Sequence, residues 1–470
     1  MLGRIFKAYD IRGTYPDMLT DQMAWQIGYG AARFLLESAE QAGESTPMMR
    51  NVVIGRDMRL SSPTLREKLV SGIKSYGAGV IDVGLVDTPF VTFAVNHLDC
   101  AGGIQITASH NPPKYNGFKV CERRGKPVGE ATGLGLVRKH AAMVEKNVKK
   151  IEDGVVDARD LWDAYSEHVL SFLDLGDRPL KVVIDASNGM AGTMVPKIFG
   201  RKGDKIEGIE IVPMHFENSS GEFVHEPNPL VPENLDQLRV AVVDKGADLG
   251  LCFDGDADRC AAVDEKGTII PCDFMTALVA PYFLADDPGG AVAYDLRSTK
   301  AVPEEITKHG GVPVRGRVGH VFMKQALREH DAPFGGELSG HFYFRDNFFA
   351  DSGAIAMCVF LSLLSKTNDP LSKLIKPIAR YKQSGELNFE VEEKDEAIEA
   401  VEAEFADRGE IDHLDGVTID AFDAEGWWAN IRKSNTEPLL RLNAEAKDQA
   451  TLDRILGEIS PMLGEQGGEH

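Results

Sequence analysis

The strongest constraint in this chain is a rhythm: short apolar runs of strand length alternate with longer stretches of helical pattern. In the N-terminal third the order is RNVVIGRD, SSPTLREKLVSGIKSYG, GVIDVG, PFVTFAVNHL and AGGIQITASHNP. A strand followed by a helix returns the chain to lay the next strand beside the first, so the rhythm predicts parallel sheets covered by helices. It restarts at LKVVIDASNGMAG, running through IEIVPMHF and ADLGLCFDGDADR, and again at AVAYDLRST, followed by GVPVRGRVGH and an apolar helix over 351–365. Three related mixed α/β domains are expected. After KPIARYKQSGELNFEV an acidic helix, KDEAIEAVEAEFADRG, precedes two alternating stretches, GVTIDAF and GWWANIRKS, which predicts a smaller C-terminal α+β domain.

Size agrees, because 470 residues exceed the roughly 250–300 at which a single core stops growing. The charged, weakly periodic KNVKKIEDGVVDARD reads as a connection, and the domains are drawn as 1–152, 153–268, 269–376 and 377–470, with a frayed tail GEQGGEH. With 43% hydrophobic and 26% charged residues the composition supports packed cores. A formal charge of −22 argues against nucleic acid and anionic membranes as partners, since both require a cationic surface. An anionic ligand would need a local cluster of Arg, Lys and metal. The six cysteines form no C-x-x-C pair or compact framework, the start MLGRIFKAYDIRG lacks a leader pattern, and no apolar run is long enough to span a bilayer. A cytoplasmic protein is expected.

Four loops carry chemistry. TASHNPPKYNGFK, residues 107–119, follows the apolar run GIQI, which puts Ser109 at the carboxyl end of a strand, where open α/β sheets bind ligands. Asn-Pro-Pro stiffens the turn, and Asn116–Gly117 is expected to make a second turn before Lys119. Alone, the segment also reads as an ordinary turn with an Asx cap; His110 beside Ser109 has no G-x-S-x-G elbow around it. DGDADR, residues 254–259, follows LGLCF and offers Asp254, Asp256 and Asp258, three carboxylates that converge only around a cation. All-oxygen ligands favour Mg²⁺ or Ca²⁺ over zinc. An EF-hand is excluded because its sixth position would be Arg259 and its flanks read as strands; an acidic surface turn is the plain alternative.

GGELSGH, residues 335–341, alternates Glu337, Ser339 and His341, so an extended loop would aim all three in one direction, where they could grip sugar hydroxyls. A solvated turn explains the same residues. RKSNTEPLLRLNAEA, residues 432–446, supplies Arg432, Ser434, Asn435, Thr436 and Arg441, a set suited to a phosphate dianion, although SNTEP could equally cap a helix. YDIRG, with Tyr9 and Arg12, and RVGH, with Gly319 and His320, are weaker cationic pieces.

Taken together, these loops, in this order over the whole chain, resemble the α-D-phosphohexomutase superfamily, in particular its phosphomannomutase/phosphoglucomutase branch. The resemblance implies four domains around a central active-site cleft and a mutase that interconverts hexose 1-phosphate and hexose 6-phosphate by way of phosphorylated Ser109. It implies one Mg²⁺ on Ser109, Asp254, Asp256 and Asp258, and a hexose 1,6-bisphosphate as intermediate and activator. Arg12, His110, Lys119, Arg259 and His320 would act in catalysis; Tyr9, Arg297 of DLRST, Gly319, Glu337, Ser339 and His341 would line the sugar site. Arg432, Ser434, Asn435, Thr436 and Arg441 would hold the phosphate not being transferred. His320, His341 and Lys119 are equal candidates for the base. Asn435 and the intact GELSGH pattern point to mannose and glucose, where glucosamine-phosphate relatives typically show SGTEP. Ala257 replaces the glycine of the more common DGDGDR, and its methyl group predicts a more conventional backbone angle there. The rival readings are a phosphoglucosamine mutase and a metal-dependent sugar phosphatase that forms phosphoserine. The partners implied are sugar phosphates alone, with the chain acting as a monomer or homodimer.

Overall fold

The computed structural model describes residues 2–144, 155–434 and 439–467. The expected boundary at 152/153, Asn435, Thr436 and the last three residues of the tail lie outside the described residues. Two compact units form: Met1–Ile270 with Ser339–Ser372, and Pro271–Leu338 with Lys373–His470.

The first unit contains two mixed sheets. In one, Val156–Ala158, Gly79–Leu85, Asn51–Arg56 and Gly102–Ile106 run parallel, as the rhythm predicts, and Tyr115–Glu122 and Ile11–Thr14 follow antiparallel. The reversal has a length cause: residues 107–114 are too few for a crossover helix, so the next strand must come straight back. That corner is the Ser109 loop. Asn116–Gly117 is therefore not a turn but the start of the returning strand. Gly117 is required by close approach, since a Cβ there would lie 2.0 Å from the Ile11 carbonyl oxygen. Asn116 instead braces the strand by donating to Ser61 and Ser62.

In the other sheet Ile209–Met214, Leu180–Asp185 and Leu249–Phe253 are parallel, and Cys260–Asp264 turns back antiparallel onto Leu249–Phe253. The turn of this hairpin is DGDADR. Its flanks are strands, as expected. Further along, Phe342–Phe344 pairs with Ala350–Asp351, and Ser352 caps the buried helix Gly353–Ser365 through its hydroxyl, which accepts from the Ile355 amide. The expected helix start at 351 moves to 353 because Asp351 is spent in the strand pair.

Helices Asp21–Gln41 and Ser62–Tyr76 bury stripes at i, i+4 spacing, Ile27, Ala31 and Leu35 on one and Leu65, Leu69 and Ile73 on the other. Each buried Leu or Ile stabilises by about 1.5–3 kcal/mol. Their backbones approach at two glycines: a Cβ on Gly28 would sit 2.2 Å from the Leu69 carbonyl oxygen, and one on Gly72 2.0 Å from that of Trp25.

In the second unit Val312–Gly316, Ala291–Asp295 and Phe334–Gly336 are parallel. The C-terminal part is an antiparallel sheet in the order Glu410–Asp412, Val417–Ala421, Trp427–Lys433, Leu440–Ala446, Lys382–Glu390, Glu465–Gln466. Helices Lys394–Phe405 and Gln449–Ile459 cover it, with Val401, Phe405, Trp427, Leu442 and Ile455 in the shared core. Among the described residues no helix is long and apolar enough to cross a membrane.

The tight helix pair makes a test of sign. Ala normally stabilises a helix by about 0.5–1 kcal/mol over Gly, and Gly457→Ala, in open space within helix Gln449–Ile459, should raise the urea midpoint accordingly. Gly72→Ala should instead lower the midpoint, through a stability loss of about 1–3 kcal/mol, as overpacking does; a gain would show that the two helices do not pack this closely.

Candidate active site

Ser109 sits at the corner after strand Gly102–Ile106, almost fully buried, with a left-handed backbone at φ 50. That angle is uncommon for a residue with a side chain and persists only when the surroundings fix it. They do so through Arg59, whose guanidinium donates to four carbonyl oxygens of the loop: Ser109 (2.8 Å), Asn111 (2.7 Å), Pro112 (2.8 Å) and Tyr115 (3.0 Å). Asp57 holds Arg59 from behind at 3.0 Å, and the ring of Phe223 lies against its face at 5.1 Å. Neither Arg59 nor Asp57 was marked by the sequence. The only signal, a D-x-R after a strand, is too common to single out.

The acidic turn meets this loop at Gly255, where a Cβ would lie 2.4 Å from the Ser109 carbonyl oxygen. The close approach delivers Ser109 Oγ to Asp254 Oδ2 at 3.0 Å. Asp254, Asp256 and Asp258 are buried, with ligand oxygens within 4.8 Å of one another. Lys119 Nζ donates to Asp256 at 2.7 Å and Asp258 at 2.6 Å, and Thr88 donates to Asp256 at 2.5 Å. Asp256 Oδ1 is buried without a hydrogen-bond partner. An all-oxygen group of three carboxylates, two of them with a buried oxygen that lacks a hydrogen bond, fits a hard divalent cation. Ala257 does not take the conventional backbone angle expected of it: at φ 60 it keeps the left-handed turn, because the hairpin must close in that hand to converge the carboxylates. The start of helix Gly353–Ser365 presses on the same turn, with Gly353 so close that a Cβ would meet the Ala257 carbonyl oxygen at 2.8 Å.

Charge sets the proton distribution. Burial, then the neighbouring charges of Asp258 and Asp256, push the Asp254 carboxyl well above the usual range. At Asp258 burial acts in the same sense, but Lys119 and His341 outweigh it and hold the group well below. At Lys119 burial is outweighed by the three carboxylates, which keep the ammonium charged. His110 Nδ1 lies 3.3 Å from Ser109 Oγ and 3.2 Å from Arg259 Nη2. Burial and the charges of Arg259, Arg12 and Lys119 keep that imidazole neutral. Arg259 also donates its backbone amide to Asp254 at 3.2 Å, and Arg12 reaches the loop by donating to the Asn111 side chain.

The alternating trio does not act as an extended triplet. Gly340 turns the chain at φ 86, so Ser339 pairs with His341 Nδ1 at 2.9 Å, while His341 Nε2 faces Asp258 at 3.5 Å and Asp351 at 3.8 Å. Glu337 belongs to the second unit and is buried there. Tyr9 is half-buried in the first unit.

A second cluster lies within the second unit. Arg297, on the turn after strand Ala291–Asp295, is clamped by Asp295 at 2.9 and 3.2 Å. Arg432 and Arg441 face each other across paired strands and, with Arg297, converge on the carboxylate of Glu386, at 2.7, 2.7 and 3.3 Å respectively. Burial works to raise the Glu386 carboxyl, but the three guanidiniums pull it down to about 2. No motif marks Glu386, which a β-bulge between Gln383 and Glu386 turns toward the arginines. Ser434 ends the first of these strands with its amide on the Leu439 carbonyl oxygen. Gly319, at φ 126, and His320 open the helix His320–Glu329.

Comparison with known proteins matches the chain in order to the phosphoglucomutase/phosphomannomutase alpha/beta/alpha domains I, II and III, over residues 3–146, 163–267 and 271–381, and to the C-terminal domain over 386–461. Phosphohexose mutases of Xanthomonas campestris pv. campestris are 38% identical over 463 residues, covering 97% of this chain and 98% of the relative. A phosphomannomutase of Salmonella typhimurium is 37% identical over 452 residues, 95% and 96% of the two chains. Among solved structures, a phosphoglucomutase/phosphomannomutase family protein from Burkholderia thailandensis superposes with a TM-score of 0.85 at 31% identity, over 98% of this chain and 96% of that one. With every domain matched in sequence order and relatives similar from end to end, this chain belongs to the phosphoglucomutase/phosphomannomutase family.

Proposed function

We propose that the chain interconverts hexose 1-phosphates and hexose 6-phosphates of mannose or glucose, with Ser109 as the phosphoryl carrier and a hexose 1,6-bisphosphate as the intermediate. The observation that carries this reading is the setting of Ser109 Oγ, buried and 3.0 Å from the acidic turn, with Lys119 and Arg259 beside that turn. Relatives named phosphohexose mutases and phosphomannomutase, at 37–38% identity, support the reaction class.

In the forward step a free sugar hydroxyl attacks phosphorus on phospho-Ser109. A new P–O bond forms to the sugar, the P–Oγ bond breaks, the hydroxyl proton passes to a base, and Ser109 Oγ takes up a proton as it leaves. Neutral His110, with Nδ1 3.3 Å from Oγ, is suited to give Oγ that proton and to hold it when Ser109 attacks in the reverse step. Lys119, kept charged, is suited to neutralise rather than to abstract. The bisphosphate then turns end for end, and Ser109 Oγ takes the other phosphoryl group in the reverse of the same step. Asp254, Asp256 and Asp258, with Ser109, would hold one Mg²⁺, which supplies charge neutralisation to the transferring group. Arg297, Arg432 and Arg441 are the proposed grip on phosphate, where guanidinium forks match its oxygens. The six cysteines, none of them in a disulfide, fit a reducing cytoplasm.

Two measurements test this reading. With mannose 1-phosphate and a trace of hexose 1,6-bisphosphate, Ser109→Ala should lose about 10³-fold or more in kcat, while calorimetry still detects sugar-phosphate binding. Near-normal turnover, or release of free phosphate by the parent chain in place of the 6-phosphate, would refute the mutase assignment. Chelation should abolish turnover and Mg²⁺ restore it; Asp256→Asn should need at least about tenfold more Mg²⁺ for half-maximal rate, since one carboxylate ligand is lost. Equal Mg²⁺ demand in the two proteins would place the metal elsewhere.

A further inference from the structure

The arginine cluster of the second unit already contains an anion. Glu386 Oε1 accepts from Arg441, and Oε2 accepts from Arg432 and Arg297. Asp295 offsets the charge of Arg297 and Glu386 offsets one more, so about one positive charge remains on the group. Glu337 and Asp415 add a weaker negative field from farther away. That balance suits a resting protein and poorly suits a phosphate dianion. With the Glu386 carboxylate withdrawn, two positive charges face the ligand and the match is good. Entry of a dianion beside a seated carboxylate would place like charges in contact within a half-buried group, a cost that grows as water is excluded.

Glu386 is built so that it can leave. Its side chain is 22% exposed, whereas Arg432 is 2% exposed. It stands on the bulge next to Gly385, whose backbone is left-handed at φ 69 with open space where a Cβ would be. The bulge itself is anchored by Ser384, whose hydroxyl accepts from the Ala444 amide, so the side chain can swing without unzipping the strand. Arg432 Nε is buried with no hydrogen-bond partner, a donor still available after Glu386 has taken its share.

We propose that Glu386 is a displaceable counter-anion: its carboxylate occupies Arg297, Arg432 and Arg441 in the absence of phosphate, and the phosphate of the sugar expels it. The proposal rests on the reading of those arginines as the phosphate grip. It answers a demand of the reaction, because a bisphosphate that must turn over each cycle is released slowly from a site with two positive charges left uncompensated. Displacing a seated carboxylate lowers net affinity while leaving three strong contacts in the bound state.

The test is binding of inorganic phosphate to the full chain by titration calorimetry, with steady-state kinetics on mannose 1-phosphate. Glu386→Gln should bind phosphate about tenfold more tightly, or about 1.4 kcal/mol, and should lower KM and kcat together, as slow release requires. Arg441→Ala should weaken phosphate binding by about tenfold or more. If Arg441→Ala weakens binding but Glu386→Gln leaves it unchanged or weaker, Glu386 only positions the arginines and the displacement idea falls while the grip stands. If Arg441→Ala changes neither binding nor KM, both fall together. Should the Gln variant not fold, Glu386→Asp, too short to bridge all three guanidiniums, should show the same tightening by a smaller factor; unchanged or weaker binding would overturn the proposal equally.

Discussion

Three carboxylates crowded into one buried hairpin turn are the condition on which the rest of the first unit depends. Buried anions at this separation repel strongly and each costs several kcal/mol to desolvate. Lys119 supplies the internal answer, bridging Asp256 and Asp258 from the neighbouring sheet. Because that lysine lies on the strand that returns from the Ser109 loop, the same pairing fixes the position of the serine. The glycines at 255 and 353 then appear as consequences. Each marks a place where another piece of backbone must come within contact of the turn so that the carboxylates are enclosed and Ser109 Oγ is delivered to them.

The cost of this convergence shows in the backbone. Ser109 and Ala257 both hold left-handed angles, at φ 50 and φ 60, in residues that bear side chains. Each carries a cost on the order of 1 kcal/mol, which tighter contacts must offset. Arg59 does so for the serine loop by satisfying four carbonyl oxygens with one buried guanidinium, and Asp57 and Phe223 hold that guanidinium in place. An arginine is needed here for its planar fork; a lysine ammonium offers three donors from a point and could not span four acceptors.

The parts legible in the sequence are those that local pattern encodes. Strand and helix alternation follows from apolar spacing, and DGDADR between two apolar runs reads as a turn between strands, with a cation site and an acidic surface turn as its two readings. What stayed hidden depends on partners distant in sequence. Asn116–Gly117 has the composition of a turn, yet Gly117 is needed for an approach to Ile11, more than a hundred positions earlier in the chain. Ala257 was read by its intrinsic preference, whereas closure of the hairpin decides its angle. Glu337, Ser339 and His341 alternate in sequence, but the chain turns over 338–340, and Ser339 is spent on His341. Arg59 and Glu386 bear no motif at all, because what defines each is the set of groups it meets and not its neighbours in the chain.

The two charged clusters, each described within its own unit, obey one rule with opposite signs. In the first, carboxylates turned toward one another are held by a lysine; in the second, guanidiniums turned toward one another are held by a glutamate. A binding site for a charged ligand cannot be both buried and uncompensated, because an unpaired buried charge would cost more than a fold of marginal stability can bear. The internal counter-ion resolves this by keeping the empty site stable, and it makes ligand affinity a difference between two pairings. Such a difference is smaller than either pairing alone, which is what a catalyst that must release its ligand in every cycle requires.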